Sequence, residues 1–187
     1  MELAGAPLAA HVELKARLDD FDAAVETCRR LGAADEGTVE HTDTYFSLGA
    51  YRLKLREAGA GGHFLIGCSR AEKPGAHKSQ FRRQRVENAG AMRAMLARQW
   101  GVKATVRTTR RCFVWRGRVR IHLDRVASLG DFLRFEADVD EGAGRDEDSA
   151  YRDVADLSRE FGVGPRDFVA ESYATLLAGA RATPDGT

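Results

Sequence analysis

No apolar run in this 187-residue chain approaches the ~20 residues that a helical membrane span needs. The first residues, MELAGAPLAAH, lack the basic segment and apolar run that mark a secretory signal. Cysteine is scarce: Cys28, Cys68 and Cys112 lie far apart, form no CxxC pair and are odd in number, which argues against a disulfide framework. Net charge is scarce as well. Lysine and arginine total 29 against 28 aspartates and glutamates, a formal balance of +1, so bulk electrostatic attraction to nucleic acid is not expected. These absences predict a cytoplasmic protein with reduced thiols, no membrane and no nucleic-acid partner. Any anion site must come from the local arrangement of charge.

What is present is 43% apolar residues, enough for a core, and 30% charged residues. Residues 1–10 show no periodicity and read as a flexible start; 179–187, ending ATPDGT, read as a flexible tail. Between them the chain alternates groups of strands with helices. HVELKARL (11–18) has strict period-two alternation and reads as a strand. A helix follows, capped by Asp19 or Asp20 and stopped by Gly32. VEHTDTYFS (39–47) and YRLKLRE (51–57) read as strands, and HFLIGCS (63–69) returns across the AGAGG turn. AEKPGAHKS (71–79) reads as a solvated loop, QFRRQRVE as a further strand, and 88–101 as a helix between Asn88 and Gly101. Strands are expected at 105–115, 118–126 and 131–139, the first two joined by a turn at Gly117. Helices are expected at about 148–161 and 166–178, with Pro165 suited to a first helical turn. The order is that of an α+β fold dominated by antiparallel hairpins. His41, His63 and His77 read as surface histidines and Trp100 and Trp115 as packing residues.

The strands' polar faces carry the functional signal. One face of 11–18 holds His11, Glu13 and Lys15; 51–57 holds Arg52, Lys54 and Arg56; 118–126 holds Arg118, Arg120, His122 and Asp124; 131–139 holds Arg134, Glu136 and Asp138. The other faces are apolar, and the charged faces are short of serine, threonine and glutamine. Alternate residues on a strand lie ~6.5–7 Å apart, and at an effective dielectric of ~20 two like charges at that distance repel by roughly 2.5 kcal/mol. In water and salt that cost nearly vanishes, and the faces are ordinary solvated surface. Enclosed, it must be offset by carboxylates or a bound polyanion, with a hard divalent cation as a natural bridge between carboxylates and phosphate.

HVELKARL resembles the ExExK signature strand of the CYTH superfamily, the triphosphate tunnel metalloenzymes. HTDTYFS followed by YRLKLRE is similar to that family's next strands, RVRIHLDRVASLGDFLRFE to its late hairpin, and DFVAESYATLL to its closing helix. The matches run in order over about residues 11–177, and 11–178 is expected as one CYTH-like domain. The resemblance is strongest to the class IV adenylyl cyclase-like and thiamine triphosphatase-like branches. It implies a closed antiparallel β-barrel with helices outside, charges facing inward, and an enzyme that cleaves or cyclises a nucleoside or organic triphosphate with Mg²⁺ or Mn²⁺. Position by position it implies Glu13, Asp124 and Glu136 as metal ligands, with Glu13 and Lys15 in catalysis. It implies Arg52, Lys54, Arg56, Arg110 and Arg120 as phosphate-binding residues. Three positions depart from the pattern: His11 replaces the first glutamate of ExExK, Arg134 the first glutamate of a late ExE pair, and Thr108 a lysine of some cyclases. His11, Arg134 and His122 are therefore altered-site residues. They keep open a repurposed tunnel, either a non-catalytic binder or an enzyme acting on another anionic small molecule, as a monomer or homodimer.

Overall fold

A computed structural model describes residues 8–49, 51–59, 61–69 and 73–182. Period-two alternation becomes β1 (Leu8–Arg17), β2 (Ala34–Leu48), β3 (Tyr51–Ala58), β4 (Gly62–Ser69), β5 (His77–Val86), β6 (Val102–Trp115), β7 (Val119–Val126) and β8 (Gly130–Val139). They close into a barrel in the order β1-β5-β4-β3-β2-β6-β7-β8, every neighbouring pair antiparallel. The helices are α1 (Phe21–Arg30), α2 (Ala89–Trp100), α3 (Glu147–Glu160) and α4 (Tyr173–Ala182). Among the described residues no helix is long and apolar enough to cross a membrane.

The outward faces of the strands are covered by helices. Val12, Leu14 and Ala16 of β1 join Ile121, Leu123, Leu133 and Phe135 beneath α1 and α3. Leu53, Leu55 and Leu65 pack under Leu96 of α2. Side-chain caps fix where these helices begin: Asp20 accepts from the Ala23 N–H at 2.9 Å, Asn88 from Ala91 at 2.9 Å and Asp146 from Ser149 at 2.6 Å. The β6–β7 turn has positive φ at both Arg116 and Gly117, the twist-matched geometry of a tight hairpin.

α4 does something different. Its Tyr173, Ala174 and Leu177 pack against Val106, Val126 and Phe132. Those three share the inward alternation of Arg110, Asp124 and Arg134 on the same strands, so α4 seals one end of the lumen rather than covering the outside wall.

Several boundaries differ from expectation. β1 starts at Leu8, because Leu8 to Ala10 pair with Arg82 to Gln80 of β5; residues 1–7 lie outside the described ones. β2 begins at Ala34, drawn into the sheet by pairing with Val114 across a bulge at Gly37, whose φ is +86°. β5 begins at His77, inside the segment read as a loop. The last helix begins at Tyr173, not 166. β5 ends its pairing with β1 at Glu13, which leaves the backbone of Lys15 and Arg17 without a strand partner on that side. Residues 167–169 fill that edge: Arg17 N–H donates to the Asp167 carbonyl at 2.8 Å and Val169 N–H to the Lys15 carbonyl at 2.9 Å. Ser172 then starts the helix, its hydroxyl accepting from Thr175 N–H at 3.1 Å. α4 continues to Ala182 through the first residues read as a flexible tail; 183–187 lie outside the described residues.

Candidate functional site

The inward alternation converges on a cavity of about 790 Å³. Every metal, catalytic, phosphate-binding and altered-site residue named from the resemblance lines it except Asp124 and Thr108; Arg118, grouped with them on the charged face of its strand, instead donates to Asp153 of α3 at 2.7 and 2.8 Å. In the strand order β3 lies four places from β8 in either direction, so Arg52, Lys54 and Arg56 face Arg134 and Glu136 across the lumen. By the same count β1, with His11, Glu13 and Lys15, faces β2.

The β3 wall is organised by a residue that the sequence reading passed over. Asp43 of β2 is buried and accepts from Lys54 Nζ at 2.6 Å and from Arg56 Nε and Nη2 at 2.8 and 2.7 Å. One carboxylate thus serves two cations. Burial would push the Asp43 carboxyl up, but Lys54 and Arg56 outweigh it and hold the group well below the usual carboxylate range. Burial and then the Arg56 guanidinium push the Lys54 ammonium down to about 8, with Asp43 opposing. Lys54 also lies 5.5 Å from the Tyr45 ring centroid.

Asp124 is elsewhere. Expected beside Glu13 and Glu136, it is instead fully buried, accepting from Arg110 Nε and Nη2 at 2.6 Å each and from the Tyr173 hydroxyl at 2.8 Å. Bidentate pairing plus a hydroxyl uses its oxygens and ties α4 to the barrel. Arg110 reaches the cavity but its guanidinium fork is directed at Asp124.

The third cluster joins β1, β7 and β8. Arg134 Nη2 donates to Glu13 Oε2 at 2.8 Å and to Glu136 Oε1 at 2.7 Å. Arg120 pairs with Asp138 at 2.6 Å and reaches Glu136 at 3.5 Å. His77 Nε2, read from the sequence as a surface group, lies 3.5 Å from Glu13 Oε1; His41, read the same way, is buried, and burial followed by Arg56 and Arg110 lowers it to about 3. His122 is buried with neither ring nitrogen hydrogen-bonded among the described residues, its Nε2 3.7 Å from Glu136 Oε2. Burial, then Arg110, holds it well below the usual histidine range, so it is neutral. Lys15 donates to the Glu171 carbonyl and lies 4.9 Å from the Tyr173 ring centroid.

A divalent cation was expected here, and donor atoms of His11, Glu13 and Glu136 do lie within 4.8 Å of one another. The chemistry of the set does not fit one. The guanidinium of Arg134 already bridges the two carboxylates and stays protonated; burial opposes its charge, but Glu136 and Glu13 raise its pKa well above the usual value. The remaining carboxylate oxygens face His77, Arg120 and His122. A metal ion bound to both carboxylates would sit in contact with a fixed positive charge.

Comparisons with known proteins agree with this architecture. The CYTH domain matches residues 9–173. Solved structures of similar fold include the PH1012 protein of Pyrococcus horikoshii, at TM-score 0.76 and 21% identity over 89% of this chain and 98% of that one. A candidate adenylate cyclase from Vibrio parahaemolyticus matches at TM-score 0.74 and 20% identity, over 90% and 97% of the two chains. HpAC1 of Hippeastrum, a candidate adenylyl cyclase with a dominant triphosphatase activity, matches at TM-score 0.59 and 13% identity, over 93% and 97%. No curated protein matches in sequence.

Proposed function

The chain belongs to the CYTH family, a family generally enzymatic and metal-dependent, and on that premise we propose that it binds a nucleoside or organic triphosphate in the barrel lumen and cleaves or cyclises it. One observation carries this: Lys54 and Arg56 share the carboxylate of Asp43, so this set keeps one surplus positive charge, facing Arg134 across the cavity. A phosphate chain between the two walls is the polyanion that offsets it. Lys54, at about 8 in the free protein, is mostly charged at neutral pH, and a bound phosphate favours its charged form further.

Preorganised cations aimed where charge develops are the main lever in phosphoryl transfer. Lys54 and Arg56 hold phosphate oxygens; Lys15, at the end sealed by α4, polarises the attacked bond; Arg120 and Arg134 stabilise the charge that shifts to the leaving group. Neutral His122, neither of whose ring nitrogens has a hydrogen-bond partner among the described residues, takes the proton of the attacking hydroxyl. Water as nucleophile makes the protein a triphosphatase; a ribose 3′-hydroxyl attacking the α-phosphorus makes it a cyclase.

The test is a panel of nucleoside and organic triphosphates and inorganic tripolyphosphate, each with Mg²⁺, with Mn²⁺ and with EDTA, read for phosphate, pyrophosphate and cyclic nucleotide. Turnover of one member, lost in Lys54→Ala, supports the proposal. Binding by calorimetry without turnover supports a second reading favoured by His11 and Arg134, a non-catalytic phosphate-ligand binder. Neither binding nor turnover across the panel refutes both.

A further inference from the structure

The geometry points to Arg134 as a built-in substitute for a metal ion: we infer that Glu13 and Glu136 carry a guanidinium in the place of a resident divalent cation. Three observations on the same side of the lumen support this. First, a single nitrogen, Nη2, is within hydrogen-bonding distance of both carboxylates, at 2.8 and 2.7 Å, so the point equidistant from the two acids is filled by a donor. Second, the positive charge is permanent and enclosed: the Arg134 side chain is 15% exposed and the two carboxylates 4% and 12%. Removing it leaves two acids facing each other in a site from which water is largely excluded, a strong driving force for an ion to enter. Third, the residue at the remaining corner is His11, whose Nε2 is 3.9 Å from Glu13 Oε2 and whose Nδ1 is buried without a hydrogen-bond partner among the described residues. An imidazole, unlike a carboxylate, adds no negative charge to hold a hard cation. Half of the corner's negative charge is therefore offset from within the chain, where a metal site would leave both acids uncompensated until the ion arrives.

Two consequences separate this from an ordinary structural ion pair. Arg134 lines the cavity, so the positive charge presented to the ligand from this wall does not depend on metal concentration. It also cannot be removed by a chelator. A divalent ion that enters the lumen does so on the triphosphate, as part of the substrate. The inference rests on the triphosphate reading only for that phosphate contact; the vacancy created by removing Arg134 does not depend on it.

The experiment has two arms. In the first, free Mn²⁺ is followed by its electron paramagnetic resonance signal as protein is added without any phosphate. Wild type is expected to leave the signal unchanged at millimolar Mn²⁺, whereas Arg134→Gln and Arg134→Glu are expected to remove one equivalent, an uptake lost again in Arg134→Gln combined with Glu136→Gln. Uptake of one equivalent by wild type overturns the inference, and that measurement needs no folded variant. Failure of both folded single variants to take up Mn²⁺ overturns it too. In the second arm, tripolyphosphate binding is measured by calorimetry in EDTA. Wild type is expected to bind, Arg134→Gln about tenfold or more weaker for loss of a charge-assisted contact, and Arg134→Glu only when Mn²⁺ is supplied. Wild-type binding that requires a metal overturns the inference. If tripolyphosphate does not bind wild type under any condition while the first arm gives the expected Mn²⁺ pattern, the triphosphate reading fails and the substitution of guanidinium for metal stands.

Discussion

Asp43→Asn should weaken the protein and strengthen its grip on phosphate at the same time. The substitution keeps side-chain volume and removes the one negative charge paired, among the described residues, with Lys54 and Arg56, which flank Leu55 on alternate positions of β3. Their side chains stand ~7 Å apart along the strand, and at an effective dielectric of ~20 the exposed repulsion is roughly 2.5 kcal/mol. Breaking a buried pair by removing one partner costs about 3–5 kcal/mol; because the lumen admits some water, the low end, about 3 kcal/mol, is expected. For a chain of this length each kcal/mol lowers the melting temperature by about 2–4 °C, so the free variant should melt about 6–12 °C below wild type. Tripolyphosphate supplies the missing charge, so the ligand-induced rise in melting temperature should be larger in Asp43→Asn than in wild type. Calorimetry or circular dichroism with and without ligand reads both quantities. An unchanged melting temperature, or a smaller ligand-induced rise in the variant, would refute the shared-carboxylate account. The pH dependence carries a second signature. The Asp43 carboxyl is depressed in the fold, so its stabilisation is present in full above its unfolded value of 3.8 and is lost as pH falls through its folded value. Asp43→Asn should therefore lose part of the acid dependence that wild type shows below 3.8.

Other outcomes follow from the remaining clusters. Because Lys54 titrates at about 8 when free, tripolyphosphate affinity should fall by up to about tenfold per pH unit above that point; Lys54→Arg, which stays charged, should flatten the slope in calorimetry. Tyr173→Phe removes the hydroxyl that donates to Asp124 at 2.8 Å and should cost about 1 kcal/mol in denaturant unfolding, while Asp124→Asn, which strands Arg110, should cost about 3–5 kcal/mol. Phe135→Ala, beneath α3 and fully buried, should cost about 3–5 kcal/mol and leave phosphate affinity per folded molecule unchanged.

Where alternation is strict, the sequence is readable residue by residue. β1, β3, β7 and β8 place His11, Glu13, Lys15, Arg52, Lys54, Arg56, Arg120, His122, Arg134 and Glu136 on the inner face because period two leaves no other choice once one face must be apolar. Closure into a barrel came from the family resemblance, since pattern alone does not say which strand pairs with which. β2 illustrates the limit. Its His41, Asp43 and Tyr45 alternate with threonine and phenylalanine, a signal that was visible but weak, and only the register of Asp43 opposite Arg56 turns it into a partner for two cations. His77 was hidden by the glycine and proline around it, and Tyr173 by lying on a helix that enters the barrel end. Residues 166–172 carry helical periodicity, yet an open backbone edge at Lys15 and Arg17 offers hydrogen bonds that a local helix does not.

The lumen divides its ion pairs into two kinds, and the division explains how so charged an interior folds. Arg110, Asp124 and Tyr173 form a closed set: every charged group is matched within hydrogen-bonding distance, and the set ties α4 to the strands. Such a set has no surplus charge for a ligand and acts as scaffold. The Asp43 set is open, with two cations on one acid, and the Glu13–Arg134–Glu136 set pairs one cation with two acids across the cavity from it. Each open set is stable enough alone for the barrel to close, because each has at least one strong pair. Together they leave one wall with a surplus cation and the other with a cation held between two acids. A phosphate chain entering between them gains from the surplus cation of the Asp43 wall and meets the Arg134 guanidinium on the other, without first displacing a partner from the closed set. On the proposed function that asymmetry makes Asp124 part of the scaffold and Asp43 part of the phosphate wall, where the family resemblance implied a metal-ligand role for the first and the sequence suggested none for the second.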